Sequence, residues 1–385
     1  MMNKKTSIII MGLLLVAFLG IAGCVGEATT PDTPSPSGPR EVTITDGFDR
    51  TVTVAVPATE VLASGSGAVR YMVYMQGQDT LVGVDDREKS FMNPEGRPYA
   101  LVHLNQMKDL PLFGQNRGRD DPEKVIAINP QVIFKTGATG QGSATNVGDV
   151  SALQEKTGIP VIGYPYGSLR TADEKDEMYT YLRTIGLVIG KEDRAEEVID
   201  YIEATMADLE RRTHDIPENE QKRVYIGGVS MSGAHGIIST EPAYPPFLWV
   251  HANNVASGIG TAHVDVAKEA IVDWDAEYLF IDLGTLGMEN DGALGQVKTD
   301  PALKGLSAVK SGKVYGLLPY NSYNTNYEVV LANAYYVGTV LYPDRFADVD
   351  PVKKADELFT FFVGEPVFEE YNAGYRGLGF TQIPV

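Results

Sequence analysis

The chain has 385 residues, 43% of them hydrophobic and 22% charged, enough for two packed cores of ordinary size. Its formal net charge of -19 argues against a nucleic-acid partner, whose phosphates it would repel, and suits a soluble, non-sticky surface. A single cysteine, Cys24, excludes an intramolecular disulfide.

Residues 1–23 read as a signal peptide. Lys4 and Lys5 precede an apolar run from Ile8 to Ile21, and small residues lead into Cys24. Residues 24–40 read as a tether, with Pro31, Pro34, Pro36 and Pro39 among Thr, Ser and Gly and no apolar periodicity. Ile21-Ala22-Gly23-Cys24 resembles a lipobox, which implies lipid attachment at Cys24 and a body held outside the cytoplasm beside a membrane. The alternative, an uncleaved anchor helix, places the body on the same side.

Residues 41–190 alternate strand and helix signals and are expected to form an N-terminal α/β lobe. Val42–Thr45 and Thr51–Val54 alternate as a hairpin, and Val61–Ala63 is a short buried strand. Ser64-Gly65-Ser66-Gly67 then opens a helix that runs to Met75. Thr80–Val84 reads as the next strand. From Asp85 to Asp120 the prolines at 94, 98 and 111 suggest an irregular excursion. Asp121-Pro122-Glu123 starts a helix with an acid cap and Pro in its first turn. Strands follow at Gln131–Phe134 and Pro160–Gly163, separated by a helix from Asn146 to Lys156, and a helix from Asp173 to Ile189 closes the lobe.

From Glu192 to Thr213 the apolar residues Ala195, Val198, Ile199, Ile202, Met206 and Leu209 form one helical stripe, with charged residues such as Arg194 on the other positions. At about 1.5 Å per residue this helix spans ~30 Å, and residues 191–214 are expected to join the two lobes. Residues 215–385 read as a C-terminal α/β lobe, with strands at Arg223–Gly228, Tyr278–Ile281 and Lys313–Leu317. Helices fit at Asp265–Val272, Pro301–Val309, Tyr327–Tyr342 and Val352–Phe362. The two lobes echo each other without a gap: residues 123–136 align with 269–282, placing Glu123 on Glu269, Asn129 on Asp275 and Phe134 on Phe280.

Ligands in open α/β sheets bind beyond the carboxyl ends of the strands. That rule selects Ser64, Ser66, Arg87, Thr136, Tyr164 and Tyr166 in the first lobe, and Ser230, His235, Tyr320, Tyr323 and Asn324 in the second. These groups offer flat stacking surfaces and neutral hydrogen bonds. Arg87 suits a ligand carboxylate or phosphate, or else an ion pair with Asp85 or Asp86. Tyr320, Tyr323 and Tyr327 fit either a ligand surface or the core. The five histidines show no metal-ligand spacing; a spatial grouping of His103, His235 and one other is the bare-metal alternative. There is no Gly-x-Ser-x-Gly elbow and no phosphate loop, so no enzyme and no resident cofactor are expected.

From about Glu41 to the C-terminus the chain resembles the substrate-binding lipoproteins of ABC importers, within the class for iron-siderophore, haem, cobalamin and oxyanion uptake. The resemblance rests on the stretches Asp46–Val54, Leu110–Gly114, Asp121–Ile133, Thr184–Glu197, Asn253–Ala256 and Asp273–Asp282. It implies an α/β fold of two Rossmann-like lobes with mostly parallel sheets, joined by one long helix, with the ligand cleft between the lobes. It further implies an extracytoplasmic receptor that captures a metal chelate and delivers it to a membrane permease with its ATPase, acting as a monomer anchored through lipid. The excursion after Asp85 and the segment Ser230–Phe247 depart from the common pattern and leave the substrate open. A bare metal ion and an oxyanion such as molybdate or tungstate are the nearest alternatives. A surface hydrolase or chelatase-like enzyme, or a structural or adhesive protein, would belong to another class.

Overall fold

A computed structural model describes residues 38–137 and 147–385. The leader, Cys24 and most of the tether lie outside the described residues. β1 (Arg40–Thr45) and β2 (Thr51–Val56) pair antiparallel, and the alternation of β2 turns Val52, Val54 and Val56 inward. β3 (Val61–Ser64) leads through Gly65 and Gly67, both at positive φ, into α1 (Ala68–Tyr74). A side chain at either glycine would strike Thr136 or Tyr166, so this turn requires glycine twice.

The expected strand at Thr80–Val84 is mostly a turn. Only Val84 pairs, in β4 (Val84–Asp85), while Leu81 makes one isolated bridge to Val61. The excursion that follows is ordered rather than irregular: it holds α2 (Pro98–Met107), β5 (Leu112–Gln115) and β6 (Arg119–Asp120). Pro98 sits at the start of α2, where its missing N–H costs nothing, so the proline that reads as a breaker is a helix start. β4, β5 and β6 form a small sheet.

Then come α3 (Pro122–Ile128), β7 (Val132–Gly137), α4 (Val147–Thr157), β8 (Val161–Pro165), α5 (Ala172–Ile189) and α6 (Glu192–Thr213). β3, β7 and β8 form a parallel sheet. The stripe of α6 is buried except at the half-buried Met206, and each large side chain fully buried in it contributes ~1.5–3 kcal/mol. Arg194, which the helical pattern puts on the polar face, is buried too. Its Nε donates to the Tyr74 carbonyl at 2.9 Å and its Nη2 to the Phe361 carbonyl at 2.6 Å, and these carbonyls replace the water that a guanidinium would otherwise need.

The second half begins with β9 (Arg223–Gly227), β10 (Ser239–Thr240), α7 (Pro245–Leu248), β11 (Asn253–Asn254) and β12 (Val264–Asp265). It continues with α8 (Lys268–Trp274), β13 (Tyr278–Asp282), α9 (Gly292–Thr299), α10 (Pro301–Lys304), α11 (Ser307–Lys310) and β14 (Val314–Leu317). The single helix expected over Pro301–Val309 is thus two short ones. The chain ends with α12 (Tyr327–Leu341), α13 (Pro351–Val363) and α14 (Phe368–Gly374). β11, β9, β13 and β14 make a second parallel sheet, and β10 pairs antiparallel with β12.

The internal repeat is structural. α3 and α8 each end on a residue in the left-handed region, Asn129 at φ 56 and Asp275 at φ 41, before running into β7 and β13. Val125 and Ile271 are the buried residues of the two helices, and Phe134 and Phe280 occupy the same place in the two strands. Asn and Asp tolerate the left-handed conformation better than other side chains, which accounts for their alignment.

Candidate functional site

The carboxyl ends of both parallel sheets converge on one cavity of about 420 Å³. Ser66 after β3, Thr136 in β7 and Tyr166 after β8 line it from the first half. Ser230 after β9, Gly284 after β13 and Tyr320 after β14 line it from the second. The strand-end rule therefore finds the cleft, and Ser66, Arg87, Thr136, Tyr166, Ser230, Tyr320, Tyr323 and Asn324 all lie on its wall.

Three expected residues do not. Ser64 is the last residue of a strand buried on every side, and its hydroxyl donates to Asp120 at 2.6 Å. Tyr164 stacks on Tyr181 with centroids 4.6 Å apart, and its hydroxyl meets Thr184 at 3.0 Å. Ser66 and Tyr166, two residues further along the chain and past the strand ends, reach the cleft instead. His235 lies just past the lining stretch Met231–Ala234 and turns away toward His263. The grouping of His103 with His235 does not form: His103 Nε2 sits 2.9 Å from the Val363 carbonyl.

A loop from the second half, Tyr320 to Thr325, crosses to the first. Arg70, fully buried, donates to the carbonyl of Ser322 at 2.8 Å, to that of Tyr323 at 3.2 Å and to the Tyr166 hydroxyl at 3.0 Å. The Tyr166 hydroxyl in turn donates to the Thr325 carbonyl at 2.8 Å. The Tyr323 hydroxyl donates to the Asp85 carboxylate, and Asn321 Nδ2 donates to the Ser230 carbonyl at 2.7 Å. Tyr323, Asn324, Arg117 and Ser232, all on the wall, hold positive φ without being glycine. Such strained backbone gathers where a ligand is held.

Arginine dominates the charge of the wall. Arg87 makes no ion pair with Asp85 or Asp86. The Asp85 side chain accepts from the backbone N–H groups of Arg87 and Glu88, and Asp86 accepts from Asn116 N–H at 2.7 Å. The Arg87 guanidinium instead lies 5.9 Å from the centroid of the Tyr323 ring. Arg117 projects from the turn between β5 and β6 and, among the described residues, likewise has no carboxylate partner. Arg170 is different: it donates to Glu174 at 2.8 Å and lies 3.6 Å from Glu241. Burial raises the Glu241 carboxyl to about 7, although a hydrogen bond from the Tyr320 hydroxyl and the Arg170 charge pull the other way. Burial likewise raises Asp85 to about 7, with the nearby Glu88 charge adding to it, and raises Asp282 at the end of β13 to about 8.

Arg117, Arg170 and Glu241 are the residues that the sequence reading missed. Arg117 sits in an Asn116-Arg117-Gly118 turn, a signal lost because the flanking strands are too short to show periodicity. Arg170 directly precedes Thr171, the cap of α5. The set can hold an anion and hydrogen-bond a polar ligand, with aromatic faces to stack on it.

Residues 71–320 match the model of the family described as periplasmic binding protein. The chain is 21% identical over 341 residues to the molybdate-binding protein MolA of Haemophilus influenzae, covering 83% of this chain and 90% of that protein. It is 22% identical to the uncharacterised ABC transporter substrate-binding lipoprotein YvrC of Bacillus subtilis, covering 83% and 91%. The structure of MolA bound to molybdate superposes with a TM-score of 0.64 at 18% identity, covering 84% of this chain and 98% of that one. The TroA-like periplasmic binding protein FepB of Veillonella parvula superposes with a TM-score of 0.61 at 19% identity, covering 84% and 97%.

Proposed function

The chain belongs to the periplasmic binding protein family, the extracytoplasmic substrate-binding components of ABC importers, and on that footing we propose that its cleft captures an anionic metal chelate. The observation that carries this reading is the pair of guanidiniums, Arg87 and Arg117, that line the cleft with no carboxylate partner among the described residues, in a chain of net charge -19. A carboxylate within reach would neutralise such groups; left open, they await charge from a ligand. The cavity volume falls within the ~300–1,000 Å³ of small-molecule sites, more than a four-oxygen anion fills. Tyr323, half-buried on the wall, offers a ring face to an organic group around a metal, while the buried Tyr166 and Tyr320 border the cleft.

In this reading Arg87 and Arg117 bind ligand oxygens, and Ser66, Thr136, Ser230 and Asn324 orient the ligand by hydrogen bonds. The loaded protein then docks on a permease with its ATPase. It does so as a monomer, held at the membrane by lipid on Cys24, and no turnover occurs in the cleft. Calorimetry and thermal shift against a ferric tris-catecholate, a neutral ferric tris-hydroxamate, haem, a corrinoid, molybdate and tungstate test it. An anionic chelate should bind at micromolar Kd or tighter and the neutral hydroxamate at least tenfold more weakly. Preference for the neutral complexes, or hydrolysis of a chelate, would sink the reading. The similarity to MolA favours a second reading, an oxyanion receptor, and tight molybdate or tungstate binding with no chelate binding would establish it.

A further inference from the structure

We infer that His235, His263 and Asp265 form a binding site for one divalent transition-metal ion, apart from the cleft. None of the three lines the cavity. His235 Nδ1 and His263 Nε2 lie 4.0 and 3.9 Å from the same oxygen, Asp265 Oδ1. The two imidazoles stand edge to face with centroids 5.5 Å apart, and one ligand atom from each residue lies within 4.8 Å of the others. A tetrahedral ion with bonds of about 2.0–2.1 Å sets its donors roughly 3.3 Å apart. Small side-chain rotations close that difference, with no movement of backbone.

The surroundings fix the ligand atoms. Asp265 in β12 pairs directly across from Ser239 in β10, so the carboxylate and the Ser239 side chain share one short ribbon. His235 Nε2 donates to the Met231 carbonyl at 2.8 Å, which leaves Nδ1 as the bare nitrogen on the side of Asp265. The His235 carbonyl in turn accepts from the Thr285 hydroxyl, which ties the backbone of the ligand to the end of β13. His263 Nε2 lies 2.6 Å from Ser239 Oγ, and that hydroxyl spends its own proton on the Val229 carbonyl at 2.6 Å. In the metal-free protein His263 therefore donates from Nε2. On binding, the neutral ring carries its proton on Nδ1 and turns Nε2 from Ser239 Oγ to the ion, giving up that hydrogen bond while Ser239 keeps its own to the Val229 carbonyl.

Two imidazoles with one carboxylate select a zinc-like ion over calcium or magnesium, which require more oxygens. His263 is the most enclosed of the three, with 14% of its side chain exposed, whereas Asp265 is 51% exposed. The ion therefore enters from solvent and keeps an outer position for water. Because His235 also holds Met231, the ion steadies the stretch Met231–Ala234, which lines the cleft. It acts as a fixed strut and not as cargo.

The test uses the full-length protein, stripped with a chelator and titrated with zinc chloride and, separately, magnesium chloride. One equivalent of zinc should bind with micromolar Kd or tighter, and magnesium should bind at least a hundredfold more weakly. Cobalt(II) should give the intense visible bands of a tetrahedral N/O site. Asp265→Asn keeps the size of the side chain and should weaken zinc at least tenfold, as should His263→Ala, while His214→Ala, at an exposed helix end, should leave it unchanged. Circular dichroism of the metal-free variants confirms that they fold. Zinc binding that survives both ligand substitutions, substoichiometric binding, or equal affinity for magnesium would overturn the proposal.

Discussion

The first half of the chain meets the cleft with Arg87, Arg117 and Arg170, whereas the second half meets it with hydroxyl and amide groups over two carboxyls that burial pushes toward neutrality, Glu241 and Asp282. Yet both halves are framed by the same unit, a short helix, a left-handed Asn or Asp and a buried strand. Apart from Arg170, which follows β8, the difference arises in what precedes that unit. Residues 85–120 lie between α1 and α3 and supply Arg87 and Arg117; residues 228–267 lie between β9 and α8 and supply Ser230, Glu241 and the His235 cluster. A duplicated frame sets where the walls stand, and unrelated inserts decide their charge.

The largest expected effect breaks the cationic wall. Arg87→Ala combined with Arg117→Ala should weaken the anionic chelate by about a hundredfold or more, since each charged hydrogen bond is worth ~1.5–3 kcal/mol; calorimetry against the parent protein reads it, and an unchanged Kd would refute the assignment of these two residues. Removing the one carboxylate on the opposite wall should do the reverse. Glu241→Gln should tighten the same ligand about five- to tenfold at pH 8, where Glu241 carries charge. The gain should fade by pH 6, because a carboxyl raised to about 7 is already protonated there, so parent affinity rises as pH falls and the variant's does not.

A third experiment separates frame from wall by stability. Asp282 is buried and raised to about 8, so the native state holds a proton that the unfolded chain has released. Its contribution to stability is complete below about pH 4 and is lost as pH rises toward 8, at up to ~1.4 kcal/mol per pH unit for the group. Asp282→Asn stays neutral throughout and should flatten that decline, raising Tm at pH 8 by several degrees; a profile parallel to the parent's would count against the raised carboxyl. The smallest effect concerns the repeated unit. Asn129→Ala should cost about 1 kcal/mol from the left-handed backbone. Asp275→Ala should cost ~1 kcal/mol more, because Asp275 also accepts from the Ser307 N–H at 2.7 Å and the Ser307 hydroxyl at 2.6 Å. Urea unfolding of the two variants gives the comparison.

Much of the frame is legible from residue order. The stripe from Ala195 to Leu209 fixes α6 to its ends, and the gapless alignment of Asn129 with Asp275 foreshadows two caps of one conformation. The strand-end rule reaches the cleft because it concerns topology rather than side chains. It fails for Ser64 and Tyr164, where a parallel strand buried on both faces gives no alternation to tell inward from outward. It also misses Arg117, since strands of two to four residues are too short for any period to appear. The helix α2 was hidden by Pro98, and the inward turn of Arg194 by its charge. In both cases the local residue type argued one way and the partners, invisible in one dimension, decided the other.

Arg194 has a mechanical meaning beyond packing. One guanidinium of α6 clasps a carbonyl of α1 on one side and a carbonyl of α13 on the other, so three helices meet on a single side chain. A change of angle between α1 and α13 would have to break one of these two hydrogen bonds.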